Sequence, residues 1–213
     1  MCIRDRDEGL PESVNFEEWP KPDEVLRDRE LEQAFDTLQR CVALVYSARQ
    51  MTQLKRRWPL QRAVVVVPEQ VQVALESLED VFLELVNVKV VEFVEEAPKV
   101  DEKEWSVVSG EGLQVLLYTR RDKSLLGEGV MRDLARRVQS LRKELGFSPT
   151  DVLDAVHLAE LDAETMRLLE PYLAEMAELV RTQRVYLHRQ RSEFEAEWHT
   201  YNMDEKRVYV AIA

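Results

Sequence analysis

Apolar positions change their spacing several times along this chain, and each change marks an element. Asp28 can cap a helix, with Glu30 and Glu32 in its first turn. Behind it Leu31, Ala34, Phe35, Leu38, Val42 and Val45 recur at helical spacing to about Ala48. The pattern predicts a long amphipathic helix whose stripe needs a partner. Pro59 biases Trp58 away from helical backbone, so the helix ends before it. Ala63-Val64-Val65-Val66-Val67 then reads as a buried strand. Pro68 opens a helix through about Val86, Asn87 can end it, and Val88–Val94 is a second strand. Strand, helix and strand at this spacing predict a βαβ unit with a right-handed crossover.

Downstream, Glu95–Glu104 is an acidic loop containing Pro98, and Trp105–Val108 and Leu113–Tyr118 are strands of a hairpin turning at Ser109-Gly110-Glu111-Gly112. About Leu125–Leu145 is a helix with Val130, Leu134, Val138, Leu141 and Leu145 on one face, ended by Gly146. Arg132, Arg136 and Lys143 gather on its opposite face, flanked by Arg137 and Arg142. Asp151–Ala159 reads as a strand, and Ala163–Arg181 as a helix that Pro171 breaks or kinks. Arg184–Gln190, Trp198–Met203 and Val208–Ile212 are strands, the last two a hairpin around Asp204-Glu205-Lys206. No internal repeat is legible. The expected class is α+β, with a βαβ-containing part followed by a small α+β part. Asp7–Pro22 is extended and proline-punctuated, and Met1–Arg6 resembles a translated adapter rather than the start of a domain.

The 213 residues are 45% hydrophobic and 33% charged, the composition of a soluble globular chain, and carry a net charge of −12. That balance argues against a general nucleic-acid coat, though a local patch can still bind RNA, because the field at the patch decides. No apolar run is long enough to span a bilayer, so no membrane partner is expected. Cys2 and Cys41 are the only cysteines, which fits a reducing, cytoplasmic setting and no disulfide framework.

Against this acidic background, Arg49–Arg62 carries Arg49, Lys55, Arg56, Arg57 and Arg62, five cations and no acid, around Trp58. Cations suit the end of a helix for its dipole alone. Cations with an aromatic also suit an RNA backbone and an unstacked base. Two alternatives for Trp58 are stacking on a base and packing against the Ala63–Val67 strand. Arg49 falls on the apolar stripe of its helix, either snorkelling or held for a ligand. The basic face with Arg132, Arg136, Arg137 and Lys143 is open to the same pair of readings, solvated face or phosphate contact.

Chemistry-bearing motifs are missing. There is no glycine-rich phosphate loop. His157, His188 and His199 stand at no metal spacing with either cysteine, so no zinc is expected. His157 and His188 lie in strands as structural or surface residues, and no nucleophile has a recognisable base.

One family matches these residues in order. Glu12-Ser13-Val14, Trp19-Pro20, Asp23-Glu24 and Asp28-Arg29-Glu30-Leu31-Glu32 resemble the approach to the anticodon-binding helical domain of isoleucyl-tRNA synthetases. Ser47-Ala48-Arg49, Lys55 and Arg57-Trp58-Pro59-Leu60 resemble its end, before a valine-rich strand. Asn87-Val88-Lys89 and Val91-Glu92-Phe93-Val94 are similar to the strand after the next helix. Leu125, Glu128-Gly129, Arg132-Asp133, Arg136-Arg137, Val138-Gln139, Leu141-Arg142-Lys143-Glu144 and Gly146 resemble the signature helix of the C-terminal domain. Leu126-Gly127 departs from the family where Ala often precedes Glu-Gly, and residues 152–213 match by pattern only.

The resemblance implies a C-terminal piece of the archaeal and eukaryotic type, which lacks the bacterial zinc module. Its expected divisions are residues 7–60 as the end of the anticodon-binding domain, 61–120 as a βαβ junction and 121–213 as an α+β C-terminal domain. The implied partners are tRNA and the missing N-terminal catalytic part. ATP and Mg belong to that part, so this piece needs no cofactor of its own and has no catalytic residue. The implied tRNA contacts are Arg49, Lys55, Arg56, Arg57, Trp58, Arg62, Arg132, Arg136, Arg137 and Lys143. The rival reading is a docking tail with no RNA contact, using the stripe of the Leu31–Ala48 helix.

Overall fold

A computed structural model describes residues 19, 21, 23–203 and 206–213. The adapter-like start, most of the proline-punctuated segment and the tip of the last hairpin lie outside the described residues. The remainder forms two α+β units in succession, each with a small mixed sheet, as the expected class requires. The first comprises α1 (Arg29–Met51), β1 (Leu60–Val66), α2 (Glu69–Glu76), α3 (Glu79–Val86), β2 (Val88–Val94), β3 (Trp105–Gly110) and β4 (Leu113–Tyr118). Its sheet has the order β2-β1-β4-β3. β1 and β2 are parallel, with Val64 opposite Glu92, and the other pairings are antiparallel.

The second unit comprises α4 (Lys123–Glu144), β5 (Leu153–Ala159), α5 (Ala163–Leu169), a 3₁₀ turn at Glu170–Tyr172, α6 (Leu173–Val180), β6 (Thr182–His188), β7 (His199–Met203) and β8 (Lys206–Ile212). Its order, β6-β5-β8-β7, repeats the first, with the same parallel and antiparallel pairs. The chain therefore contains an internal repeat that its sequence does not disclose. The copies share pattern rather than residues: Ala63-Val64-Val65-Val66 of β1 corresponds to Val156-His157-Leu158-Ala159 of β5. Burial demands apolar side chains on the helix-facing side of a strand and leaves their identity free.

Local chemistry explains the elements. The Asp28 carboxylate accepts from the Glu30 and Leu31 amides, both at 3.0 Å, and starts α1 as expected. Asp122 and Asp162 begin α4 and α5 in the same way. The single helix expected from Pro68 to Val86 is instead two. The Ser77 hydroxyl donates to the Ala74 carbonyl at 2.7 Å and the Leu78 amide turns back to Leu75, which ends α2. In the second unit Pro171 enforces the corresponding break. Asn87 and Arg181, both left-handed, terminate α3 and α6 and feed the second parallel strands.

In each unit the helices lie together on one face of the sheet. α1 packs on β3 and β4 and touches α2 and α3, so the helix expected to end a preceding domain is built into the first core. Only its N-terminal part is left over, with Leu31 and Phe35 exposed. The apolar centre of the first unit gathers Leu38, Val45, Leu60, Val65, Phe82 and Leu117. That of the second gathers Met131, Leu134, Val156, Leu158, Met176 and Val210, and it takes in Trp58 from the first unit's sequence. The β2–β3 and β6–β7 connections each join two edge strands, so each must span the full width of its sheet.

Candidate nucleic-acid interface

Arg49 sits in the last turn of α1 with 1% of its surface exposed. Its Nη1 donates to the carbonyls of Lys55 and Trp58, and its Nη2 to those of Val86 and Asn87, all at 2.9 Å. One guanidinium thus ties the end of α1, the following loop and the end of α3. Burial pulls its pKa down to about 10, which leaves it charged at neutral pH. Arg49 is neither a snorkelling residue nor presented to a ligand.

Arg142 in α4 repeats the device. Its Nη2 donates to Ser148 and Asp151, and its Nη1 to Val180 and Arg181. In both copies the loop acceptors lie six and nine positions after the arginine. The matched pair shows that the two units are built on one plan.

Trp58 is buried. Its ring lies on α4, where a Cβ added to Gly129 would stand 2.6 Å from it. Its Nε1 donates to Asp133 Oδ2 at 2.9 Å. The packing alternative holds in kind but not in place, since the ring lies with the second core and not on the Ala63–Val67 strand. Arg121 and Lys55 lie over the ring at 4.8 and 5.2 Å.

Asp133 and Glu128, two largely buried carboxylates of α4, organise the cations around this point. Lys55 Nζ is 3.2 Å and Arg57 Nε 3.6 Å from Asp133. Lys89 and Arg132 each reach Glu128 at 2.7 Å. Arg132 Nη1 also donates to Asn87 Oδ1 at 2.8 Å, and Asn87 Nδ2 donates to the Arg56 carbonyl at 3.1 Å. Of the α4 basic face, Arg132 therefore meets the Lys55–Arg57 group at one junction.

The other candidates divide. The Arg56 guanidinium lies over the Tyr46 ring at 3.9 Å, and the residue is exposed. Arg62 pairs with Glu92 across β1 and β2. Arg137 donates to the Asn202 carbonyl at 3.1 Å. Arg136 and Lys143 are exposed and make no ion pair with a described residue. Sequence reading missed Asp133, Glu128, Asn87, Lys89 and Arg121. Two carboxylates on an otherwise apolar-facing side of α4 were the available signal. Among the described residues no group of three histidine, cysteine, aspartate or glutamate side chains could hold a metal ion. Among the described residues no helix is long and apolar enough to cross a membrane.

No protein-family model matches the chain. Individual relatives do. The isoleucine–tRNA ligase of Methanosarcina mazei is 33% identical over 148 residues, 68% of this chain and 13% of the relative. That of Dehalococcoides mccartyi is 29% identical over 155 residues, 72% of this chain and 15% of the relative. That of Methanopyrus kandleri is 27% identical over 202 residues, 65% of this chain and 18% of the relative. The chain thus spans under a fifth of the length of each of these relatives, and by sequence it belongs with the isoleucine–tRNA ligases, as its motifs indicated.

Proposed function

We propose that this chain is the C-terminal, tRNA-holding region of an isoleucine–tRNA ligase, supporting the ATP-dependent attachment of isoleucine by a catalytic part outside it. The observation that carries the reading is the junction of Arg56, through its carbonyl, with Arg132 of α4 by way of Asn87, in a chain that is acidic overall. Exposed positive charge concentrated on one edge of an acidic molecule draws a polyanion there and repels it elsewhere. Arg56, Arg136 and Lys143, exposed and in no ion pair with a described residue, are the first phosphate contacts. Lys55, Arg57 and Arg132, held by buried acids, are oriented contacts behind them, with Arg62 and Arg137 at the margin. Arg49 and Trp58 shape the junction from inside. The anticodon stem and loop is the part of the tRNA proposed to lie there.

Titration of the chain with an isoleucine-accepting tRNA at several salt concentrations tests this. Binding should weaken steeply with salt through counterion release. Arg56→Ala, Arg136→Ala and Lys143→Ala should each flatten the salt slope by about one. Variants that bind as the parent does, with unchanged slope, overturn the assignment. The docking reading has its own support in Val25, Leu26, Leu31 and Phe35, which leave an apolar strip exposed at the start of α1. Association through that strip would be insensitive to salt.

A further inference from the structure

We propose that the segment joining β6 to β7, residues 189–198, is a strap held over the outer face of the second sheet by the His157–His188 pair and released when both rings are protonated. His157, on β5, is 5% exposed, and its Nδ1 lies 2.8 Å from His188 Nε2 on β6. Phe194 of the strap stacks on the His157 ring, with centroids 3.7 Å apart and planes at 6°. Trp198 meets the edge of His188 at 6.1 Å. Arg191 anchors the strap at its other side, 2.6 Å from Glu160 and over the Tyr209 ring of β8 at 4.0 Å.

The groups facing the pair set its proton chemistry. Tyr186 of β6 stacks on His157 at 5.0 Å, and Ala211 is the residue paired with His157 on β8. The Glu193 carboxylate lies 3.8 Å from His188 Nδ1 and can accompany one proton there. A second proton has no such place. It would set two N–H groups and two positive rings face to face across 2.8 Å. Burial, and then the charge of His188, hold the His157 pKa below its ordinary 6.5. A depressed folded-state value means the contact stabilises above pH 6.5 and is lost as pH falls below it.

The repeat supplies an internal control. Register places Val64 and Val94 of the first sheet where His157 and His188 stand in the second, so the first connection, residues 95–104, crosses a sheet with no titrating pair.

Amide hydrogen exchange of the chain at pH 8 and pH 5, corrected for intrinsic rates, tests the proposal. Protection of residues 189–198 should fall about tenfold or more relative to residues 95–104 at the lower pH. His157→Val with His188→Val, which copies the first unit, should abolish that difference. His188→Gln, which keeps polarity without a charge, should also flatten it and guards against a misfolded double variant. Protection of the strap that does not change with pH, or a pH dependence that survives in both variants, overturns the proposal.

Discussion

Arg49 and Arg142 each bring a charge into a core and reach four carbonyls, two of which in each unit also accept a backbone amide. Replacement by Met keeps much of the volume and strands the two acceptors that have no backbone donor, Trp58 and Val86 in one unit and Asp151 and Val180 in the other, so Arg49→Met and Arg142→Met should each cost on the order of 2–6 kcal/mol, at about 1–3 for each orphaned acceptor. Lys restores the charge but not the fork and should recover only part. Urea unfolding midpoints measure both, and similar losses in the two units are the expected result. Cys41 offers a second test at this scale. Burial raises its thiol pKa to about 11, so peptide mapping after native alkylation at pH 8 should find Cys41 unmodified, and unfolding should expose it.

At the scale of elements, glycine decides how closely α4 approaches its neighbours. A Cβ at Gly127 would stand 2.4 Å from the Leu168 carbonyl, and one at Gly129 would enter the Trp58 ring. Gly127→Ala and Gly129→Ala should therefore destabilise by about 1–3 kcal/mol through overpacking, read from thermal melting. Gly127 is the harder case, because backbone cannot rotate away as a ring can. The departure from the family at Leu126-Gly127 thus has a packing reason in this chain.

Helices with a clear stripe and the valine-rich strands were legible in the sequence because burial imposes period on them. The split between α2 and α3 was not, because it rests on one serine hydroxyl competing with the backbone. Of the candidate interface, the cations were visible as charge. Their buried carboxylate partners were not, because Asp133 and Glu128 act across 78 and 39 positions of chain, respectively, and contact between units leaves no periodic mark.

For the whole molecule, the junction between the units is polar at its rim and aromatic at its centre. Trp58→Phe keeps the bulk but leaves Asp133 short of a donor, at about 1–3 kcal/mol. It should leave the salt slope of tRNA binding unchanged while Arg56→Ala lowers it, which separates the residues that build the surface from those that use it. The chain alone should show no ATP–pyrophosphate exchange, since activation of isoleucine is assigned to the part outside it. Exchange that co-purifies with the chain, and that disappears on its depletion, would contradict that division.

The arginine clamp carries a consequence for ancestry. All eight of its acceptors are main-chain carbonyls, so no partner side chain has to be retained for it to work. Two copies of such a unit can drift apart until nothing in an alignment joins them, provided each keeps one arginine near the end of its long helix. A pattern of long helix, terminal arginine, strand, broken helix, strand and hairpin would find further copies that comparison residue by residue passes over.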